Sequence, residues 1–186
     1  MIMKVLLLFT DGFEDVEAIA TRDVLIRAGI EVYDAKIDED NQIVVSSHKM
    51  SLIGFKSLKN INVNEFSAII LPGGSRGVNN LLRSSEVDYL VKEFNKQHKW
   101  VCAICAAPMV LAKNGLLHNK RYTCYPGCNE GLDGIYTGEE LVVTDNIVTA
   151  RSMLYSVPFG LKIIELLLGK SDSDRIYSQI AGLTKK

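Results

Sequence analysis

The chain has 186 residues, of which 47% are hydrophobic and 23% charged, and its formal net charge is −1. These values fit one domain spanning residues 1–186 with a single core, of ordinary globular composition. They give no general attraction to nucleic acid or to an anionic membrane, and no apolar stretch approaches the roughly 18 residues of a membrane helix.

The N-terminal apolar run over residues 4–9 is interpreted as a buried strand. A signal peptide would need a small-residue cleavage site, whereas Thr10-Asp11-Gly12 follow the run at once. We therefore expect a cytoplasmic protein whose four cysteines are thiols rather than structural disulfides.

Strands and helices alternate along the rest of the chain. In the first half of the chain the apolar spacing predicts a helix over 16–28, a strand over 31–37, a mixed segment over 38–62 with short β pieces, a strand over 68–71 and a helix over 78–97. In the second half it predicts a strand over 100–104, a helix over 107–113, a short strand at 122–123 and a hairpin over 141–150. Helices over 157–168 and 172–180 complete the chain.

This alternation predicts an α/β fold: a three-layer, doubly wound sandwich with a mostly parallel central sheet. Ligands of such folds bind outside the carboxyl ends of the strands. Three loops lie there, at residues 10–17, 72–77 and 105–108.

The third of these loops carries a candidate nucleophile, Cys105. An apolar strand leads directly into it and a helix follows, which is the arrangement of a nucleophile elbow with alanines in place of the usual glycines. The helix N-terminus favours a thiolate, so we predict a lowered pKa for Cys105, and the Ala106 N–H is placed to bind an oxyanion. The alternative is that Cys105 is a small buried core residue.

The other two loops supply carboxylates and a glycine turn. Between Asp11 and Glu17 stand four acids at the start of a helix, where acids also simply complement the helix dipole. Glu14 and Glu17 share a helix face, so one of them can reach the cleft as a protonated carboxyl beside Cys105. Gly73-Gly74 lets the backbone approach a ligand closely, although an ordinary turn would use the same residues.

The remaining cysteines form no metal site by their spacing. Cys102 lies within a strand and points away from Cys105, which argues against a redox pair. Cys124 and Cys128 have no histidine at ligand spacing, so we expect no metal. A disulfide between Cys124 and oxidised Cys105 is conceivable.

Taken together, Asp11-Gly12-Phe13-Glu14-Asp15-Val16-Glu17, Leu71-Pro72-Gly73-Gly74 and Ala103-Ile104-Cys105-Ala106-Ala107-Pro108 resemble the ThiJ/PfpI superfamily, and within it the DJ-one branch. Arg27-Ala28-Gly29 and Thr149-Ala150-Arg151-Ser152 also fit, and the resemblance covers nearly the whole chain.

The resemblance implies a flavodoxin-like sandwich and a homodimer. It implies that Cys105 is the reactive cysteine, that Glu17 is the protonated carboxyl beside it, and that Gly74 and Ala106 provide backbone N–H groups. Glu14, Tyr125 and Arg27 are the supporting residues.

Two departures from the family pattern bear on activity. The protease-like branch has histidine directly after the cysteine, where this chain has Ala106, which argues against a peptidase. Many relatives have His-Pro after the nucleophile helix, where this chain has Tyr125-Pro126. Either Tyr125 replaces the histidine through its hydroxyl or the protein works without it.

Two functional hypotheses remain. The first is a cofactor-free enzyme that converts small reactive dicarbonyls such as methylglyoxal or glyoxal to hydroxy acids, or a related deglycase, in defence against carbonyl and oxidative stress. The second is a non-enzymatic redox sensor or chaperone that acts through oxidation of Cys105 to the sulfinate. Both need an accessible, reactive thiol; a scaffold with a vestigial cysteine is the third possibility.

Overall fold

The computed structural model describes residues 3–37, 43–59 and 61–183, so the mixed segment predicted over 38–62 lies partly outside them. The strands, in chain order, are β1 (Lys4–Phe9), β2 (Glu31–Lys36), β3 (Val44–Val45), β4 (Ser51–Leu52), β5 (Lys56–Ser57), β6 (Ala68–Leu71), β7 (Trp100–Ile104), β8 (Arg121–Tyr122), β9 (Ile135–Tyr136), β10 (Leu141–Thr144) and β11 (Ile147–Ala150).

Six α-helices and two short 3₁₀ helices complete the described part of the chain. The α-helices are α1 (Asp15–Arg27), α2 (Ser75–Arg83), α3 (Ser85–Lys96), α4 (Pro108–Lys113), α5 (Ser156–Leu168) and α6 (Lys170–Ile180). None of the helices in the described ranges is long and apolar enough to cross a bilayer.

A seven-stranded sheet forms the centre of the molecule, with the order β10-β11-β7-β6-β1-β2-β5. All neighbours pair in parallel except β10, which forms an antiparallel hairpin with β11. From β1 the chain adds β2 on one side and later β6 on the other, so the strand order reverses at β1. In parallel sheets, ligands bind at the carboxyl ends of the strands beside such a topological switch point.

The core lies in two layers, one on each face of the sheet. Alternate residues along a strand enter opposite layers: Leu6 and Leu8 of β1 pack towards α2, α3 and α4, whereas Leu7 and Phe9 pack towards α1, α5 and α6. Because helices cover both faces, the central strands are continuous apolar runs rather than alternating ones. The predicted three-layer α/β sandwich is confirmed.

The helix predicted over 78–97 is in fact two helices, α2 and α3, and the first begins at Ser75. Ser84 separates them with an extended backbone (φ −86°, ψ 118°), and its hydroxyl accepts the Val87 N–H. Serine caps a helix better than it continues one, because its side chain competes for backbone N–H groups. The predicted boundaries of the other principal elements hold within two residues.

The two-layer core gives a direct stability prediction for two leucines of equal size. Leu25 of α1 is fully buried, whereas Leu183 is 65% exposed. We expect Leu25→Ala to lower the free energy of unfolding by about 2–5 kcal/mol and Leu183→Ala to change it by less than about 0.5 kcal/mol. Urea denaturation followed by circular dichroism measures both values; equal effects would contradict the assignment of Leu25 to the core.

Candidate active site

Three loops meet at the carboxyl edge of the sheet, where β1, β6 and β7 end. They are the loops predicted from the sequence: the acidic segment before α1, the glycine turn before α2 and the cysteine turn before α4. The first two are packed tightly together, because the Glu14 N–H donates to the Gly73 carbonyl at 3.0 Å and the Gly77 N–H donates to the Gly12 carbonyl at 3.1 Å.

The four acids of the first loop have different tasks. Asp11 and Asp15 accept hydrogen bonds from the segment over 45–48 and so hold it against the loop. Glu14 caps α1, since its carboxylate accepts the Glu17 N–H at 2.7 Å. Glu17, in the first turn of α1, is the one acid of the four that is buried.

The Glu17 carboxyl group is only 1% exposed and is partly satisfied. Its Oε2 accepts the Gly73 N–H at 2.8 Å, while its Oε1 is buried without a hydrogen-bond partner that meets normal geometry. Burial raises the pKa of Glu17 to about 7, against the lowering influence of hydrogen bonds from Cys105 and Gly73. Glu17 is therefore poised to gain or lose a proton near neutral pH.

Gly73 makes the approach of Glu17 to the cysteine possible. A Cβ at this position would lie 2.5 Å from Glu17 Oε2 and 2.8 Å from Cys105 Cβ, which no side chain can occupy. Gly74 is constrained in a different way: its φ is +94°, and a Cβ there would lie 2.3 Å from the Gly12 carbonyl oxygen. Gly73 is therefore required because there is no space for a Cβ. Gly74 is required for the same reason and also because its backbone conformation favours glycine.

Cys105 occupies a sharp turn between β7 and α4. Its φ of +63° is uncommon for a residue with a side chain and marks local backbone strain, as expected of a nucleophile elbow. Two backbone hydrogen bonds hold it: the Cys105 N–H donates to the Ala150 carbonyl and the Tyr125 N–H donates to the Cys105 carbonyl, both at 2.9 Å. The sulfur interacts with the Glu17 carboxyl group and with the Ala106 N–H.

The predicted lowering of the Cys105 pKa is contradicted. Burial raises the pKa of the thiol, and a negative charge on Glu17 raises it further, whereas the Ala106 N–H lowers it by less. The sequence argument considered the helix N-terminus and neglected desolvation. A free thiolate is thus disfavoured at neutral pH, and Glu17 is the carboxyl in contact with the thiol.

A cavity of about 540 Å³ opens above the pair. Its wall is largely apolar, with a few polar groups, and Tyr125 at its mouth is 51% exposed. The lining residues are Glu14, Gly74, Ser75, Val78, Asn79, Cys105, Ala106, Met109, Tyr125, Pro126, Gly127 and Cys128.

Five of the predicted site residues line this cavity: Glu14, Gly74, Cys105, Ala106 and Tyr125. Glu17 is buried behind Cys105 and reaches the site through its contact with the sulfur, whereas Arg27 lies elsewhere. Arg27 ends α1, at the opposite end of the helix from Glu17, and pairs with Asp23 at 2.7 Å. Because 10 residues of helix separate it from Glu17, about 15 Å of rise lies between them within one chain. The structure does not bring Arg27 to the site.

Sequence reasoning missed two residues of the site. Gly73, which the sequence indicated only as part of a turn, donates its N–H to Glu17. Cys128, rather than Cys124, lines the cavity, while Cys124 and Cys102 are fully buried in the core. The glycine pair was a visible signal in the sequence, but nothing in the spacing of Cys128 could place it opposite Cys105.

One group of possible metal ligands occurs among the described residues. Glu14, Asp15 and His48 each place a ligand atom within 4.8 Å of the others. Glu14 is occupied as the cap of α1, and Asp15 accepts from the Ser46 hydroxyl at 2.5 Å and contacts His48 Nδ1 at 2.9 Å. These contacts account for all three side chains, so we assign no metal to them.

The raised pKa of Glu17 predicts a specific pH dependence of stability. Folding favours the protonated carboxyl, so this contribution is complete below pH 4.5 and is lost as the pH rises through about 7. Relative to Glu17→Gln, whose neutral amide keeps the shape, wild type should lose about 3 kcal/mol of unfolding free energy over this range. Urea titrations of both proteins from pH 4 to 8 measure it; parallel curves would contradict the raised pKa.

Comparison with known proteins places this arrangement in a family. A sequence model of the DJ-1/PfpI family matches residues 3–166. The protein dj-1beta of Drosophila melanogaster is 35% identical over 173 residues, which cover 91% of this chain and 92% of that protein. Its crystal structure has a TM-score of 0.92 at 32% identity, covering 97% of this chain and 98% of the solved one.

Two further relatives carry names that state an activity. A protein of Schizosaccharomyces pombe named glutathione-independent glyoxalase DJ-1 is 28% identical and covers 96% of this chain and 98% of its own length. A protein of Pyrococcus abyssi named as a deglycase is 33% identical and covers 80% of this chain and 90% of its own length. The resemblance to the ThiJ/PfpI superfamily and its DJ-one branch is confirmed, and with it the flavodoxin-like form of the sandwich. The chain belongs to the DJ-1/PfpI family.

Proposed function

We propose that the protein converts small, uncharged dicarbonyls such as methylglyoxal or glyoxal to hydroxy acids, without a metal or an organic cofactor. The observation that carries the proposal is the buried Glu17 carboxyl in contact with the strained Cys105 turn, beneath a small, largely apolar cavity. A nucleophile and an acid–base group with a pKa near 7 are the two groups that this reaction needs.

The first step uses Glu17 as a base. As Cys105 Sγ attacks the aldehyde carbon, the thiol proton passes to the Glu17 carboxylate and the carbonyl oxygen becomes a hemithioacetal oxygen. The Ala106 N–H, with the Gly74 N–H at the cavity wall, would stabilise the developing negative charge on that oxygen. Because the proton moves within the pair, a free thiolate with a low pKa is not required.

The later steps use the same carboxyl group. Glu17 first passes the thiol proton to the hemithioacetal oxygen and is a carboxylate again. It then removes the proton from the former aldehyde carbon, which gives an enediol, and returns that proton to the neighbouring carbon. The hydroxyl proton of the former aldehyde carbon moves to the neighbouring oxygen, so that a thioester forms on Cys105. Water hydrolyses the thioester, which releases the hydroxy acid and restores the thiol. The sum is one dicarbonyl plus one water giving one hydroxy acid, with no external oxidant or reductant.

The charge of the cavity wall supports an uncharged substrate. Among the described lining residues there is no lysine or arginine to bind a phosphate or carboxylate, and the one ionisable carboxylate, Glu14, would repel an anion. Ser75 and Asn79 offer hydrogen bonds to a carbonyl. The same repulsion from Glu14 would help the acid product to leave.

The names of two relatives support this reaction class, one as a glyoxalase and the other as a deglycase. Both activities would begin with attack of Cys105 on a carbonyl-derived carbon.

Ala106 in place of histidine argues against a peptidase. Tyr125 is half-exposed at the cavity mouth, so its hydroxyl can serve a substrate there only by reaching inward from solvent.

The redox-sensor hypothesis uses the same thiol and stays the second candidate. The strained turn and the Ala106 N–H beside the sulfur would also suit an oxidised cysteine, whose oxygens accept hydrogen bonds. Turnover of a dicarbonyl decides between the two hypotheses.

The test is formation of lactate from methylglyoxal, without glutathione, by freshly reduced protein. We expect turnover in wild type, none in Cys105→Ala, and a fall of about 10²–10⁴-fold in Glu17→Gln because the proton carrier is lost. Cys102→Ala, which alters a fully buried core thiol outside the cavity, is the matched control and should keep the activity.

Two outcomes would overturn the enzymatic proposal. Wild type without turnover after full reduction would favour the redox-sensor hypothesis. Equal activity in Glu17→Gln and wild type would show that another group moves the proton, and Glu14 would be the next variant to make.

We also propose that the protein is a homodimer through the face formed by α1 and the segment over 50–55. Apolar side chains are exposed there without cover: Val16 at 43%, Ile19 at 37%, Met50 at 40% and Ile53 at 77%. A groove beside them is lined by Phe9, Leu52 and Phe55 together with polar groups of α1 and β2. Clustered apolar exposure of this kind marks an interface, and two-fold pairing of identical copies is the commonest solution.

Charge placed in this face should dissociate the dimer. We expect Ile53→Asp to be monomeric by light scattering after gel filtration, while Ile135→Asp, on the β9 edge and 55% exposed, should leave the mass of wild type unchanged. A monomeric wild type, or a dimer that survives Ile53→Asp, would contradict the proposed interface.

A further inference from the structure

A second thiol, Cys128, shares the cavity with Cys105. Both line it, and both are partly exposed, in contrast to the fully buried Cys102 and Cys124. The mechanism proposed above gives Cys128 no task. Its position in the same cavity as Cys105 suggests a role, because two accessible thiols at one cavity can form a disulfide.

The backbone ties the two cysteines together through Tyr125. The Tyr125 N–H donates to the Cys105 carbonyl at 2.9 Å, and the Cys128 N–H donates to the Tyr125 carbonyl at 2.9 Å. The second bond closes a four-residue turn from Tyr125 to Cys128, in which the end Cα atoms are less than about 7 Å apart. The loop over 125–128 is therefore attached to the Cys105 turn by the first hydrogen bond, and the second bond closes the turn that carries Cys128.

The turn that carries Cys128 has room to adjust. A Cβ added at Gly127 would meet nothing within 4 Å, so no other part of the described chain packs against that side of the turn. Cys128 is near enough to contribute a small part of the raised pKa of Cys105. A disulfide requires the turn over 125–128 to bring Cys128 Sγ to bonding distance of Cys105 Sγ. The open side at Gly127 leaves space for this movement, while the Cys128 side chain packs against the core.

We propose that Cys128 is a resolving cysteine, which captures Cys105 after its oxidation by a hydroperoxide and forms a reversible Cys105–Cys128 disulfide. In the first step the Cys105 sulfur is oxidised to the sulfenic acid and the peroxide is reduced to water or an alcohol. In the second step Cys128 Sγ attacks the Cys105 sulfur, the S–S bond forms, the S–O bond breaks and water leaves. A dithiol reductant restores both thiols.

The consequence is protection of the site against irreversible oxidation. A sulfenic acid without a nearby thiol reacts with more peroxide and becomes a sulfinic acid, which dithiol reductants do not reverse. Reaction with Cys128 converts the sulfenic acid to a disulfide instead, and dithiol reductants return the disulfide to two thiols. Cys124 is not suited to this task, since it is fully buried and outside the cavity lining.

Mass spectrometry after exposure to a modest excess of hydrogen peroxide tests the proposal. Wild type should lose two hydrogen atoms, and a non-reducing peptide map should show the peptides of Cys105 and Cys128 joined. Cys128→Ser should instead gain two oxygen atoms on Cys105. Cys124→Ala, the control, should behave as wild type.

The readout does not depend on turnover, so a failure of the proposed enzymatic activity and a failure of this inference are distinguishable. Dithiothreitol should restore the reduced mass of wild type and leave oxidised Cys128→Ser unchanged. Sulfinate formation at equal rates in wild type and Cys128→Ser, or a cross-link from Cys105 to Cys124, would overturn the proposal. Circular dichroism before oxidation confirms that each variant is folded.

Discussion

The site depends on one contact: the buried Glu17 carboxyl lies against Cys105 at a position that only a glycine backbone leaves open. The carboxyl is removed from water, so its pKa rises to about 7, and the Gly73 N–H holds one of its oxygens. Neither the acid nor the thiol is made reactive separately. Burial raises the proton affinity of both groups; Glu17 raises that of the thiol further, whereas the hydrogen bond from Cys105 lowers that of the carboxyl, so the two titrate as a coupled pair.

The surrounding fold serves to keep that contact in place. Glu14 caps the helix that carries Glu17, and its own N–H binds the Gly73 carbonyl, so one residue joins the first two loops. Cys105 is fixed from the opposite side by Ala150 at the end of β11. The three loops that meet here start from adjacent strands of a parallel sheet, β1, β6 and β7, whose carboxyl ends share an edge. Precision at the site therefore comes from the rigid sheet.

The sequence was sufficient to predict the sandwich, the edge of the sheet that carries the site and an acid of the first loop beside Cys105, while the choice of Glu17 over Glu14 came from the family resemblance. These predictions rest on strong local signals: apolar runs, glycine turns and an acid at the start of a helix. The pKa of Cys105 could not be predicted, because desolvation depends on neighbours brought together by the whole fold. The same holds for Cys128, whose loop reaches the cavity through backbone hydrogen bonds that leave no trace in residue type. Arg27 is the opposite case: it matches a motif of the family, but within one chain it lies far from Glu17 and Cys105 and pairs with Asp23 instead.

The loop at the mouth of the cavity is attached to the cysteine turn through main-chain atoms of residue 125. Every amino acid except proline carries the N–H that this attachment requires. The placement of the loop is thus independent of the side chain that residue 125 presents to the cavity, here the half-exposed ring of Tyr125. A protein built in this way can exchange the chemistry at its entrance by a single substitution while its cysteine turn stays where it was, which makes the entrance a natural place for relatives to diverge in what the cavity binds.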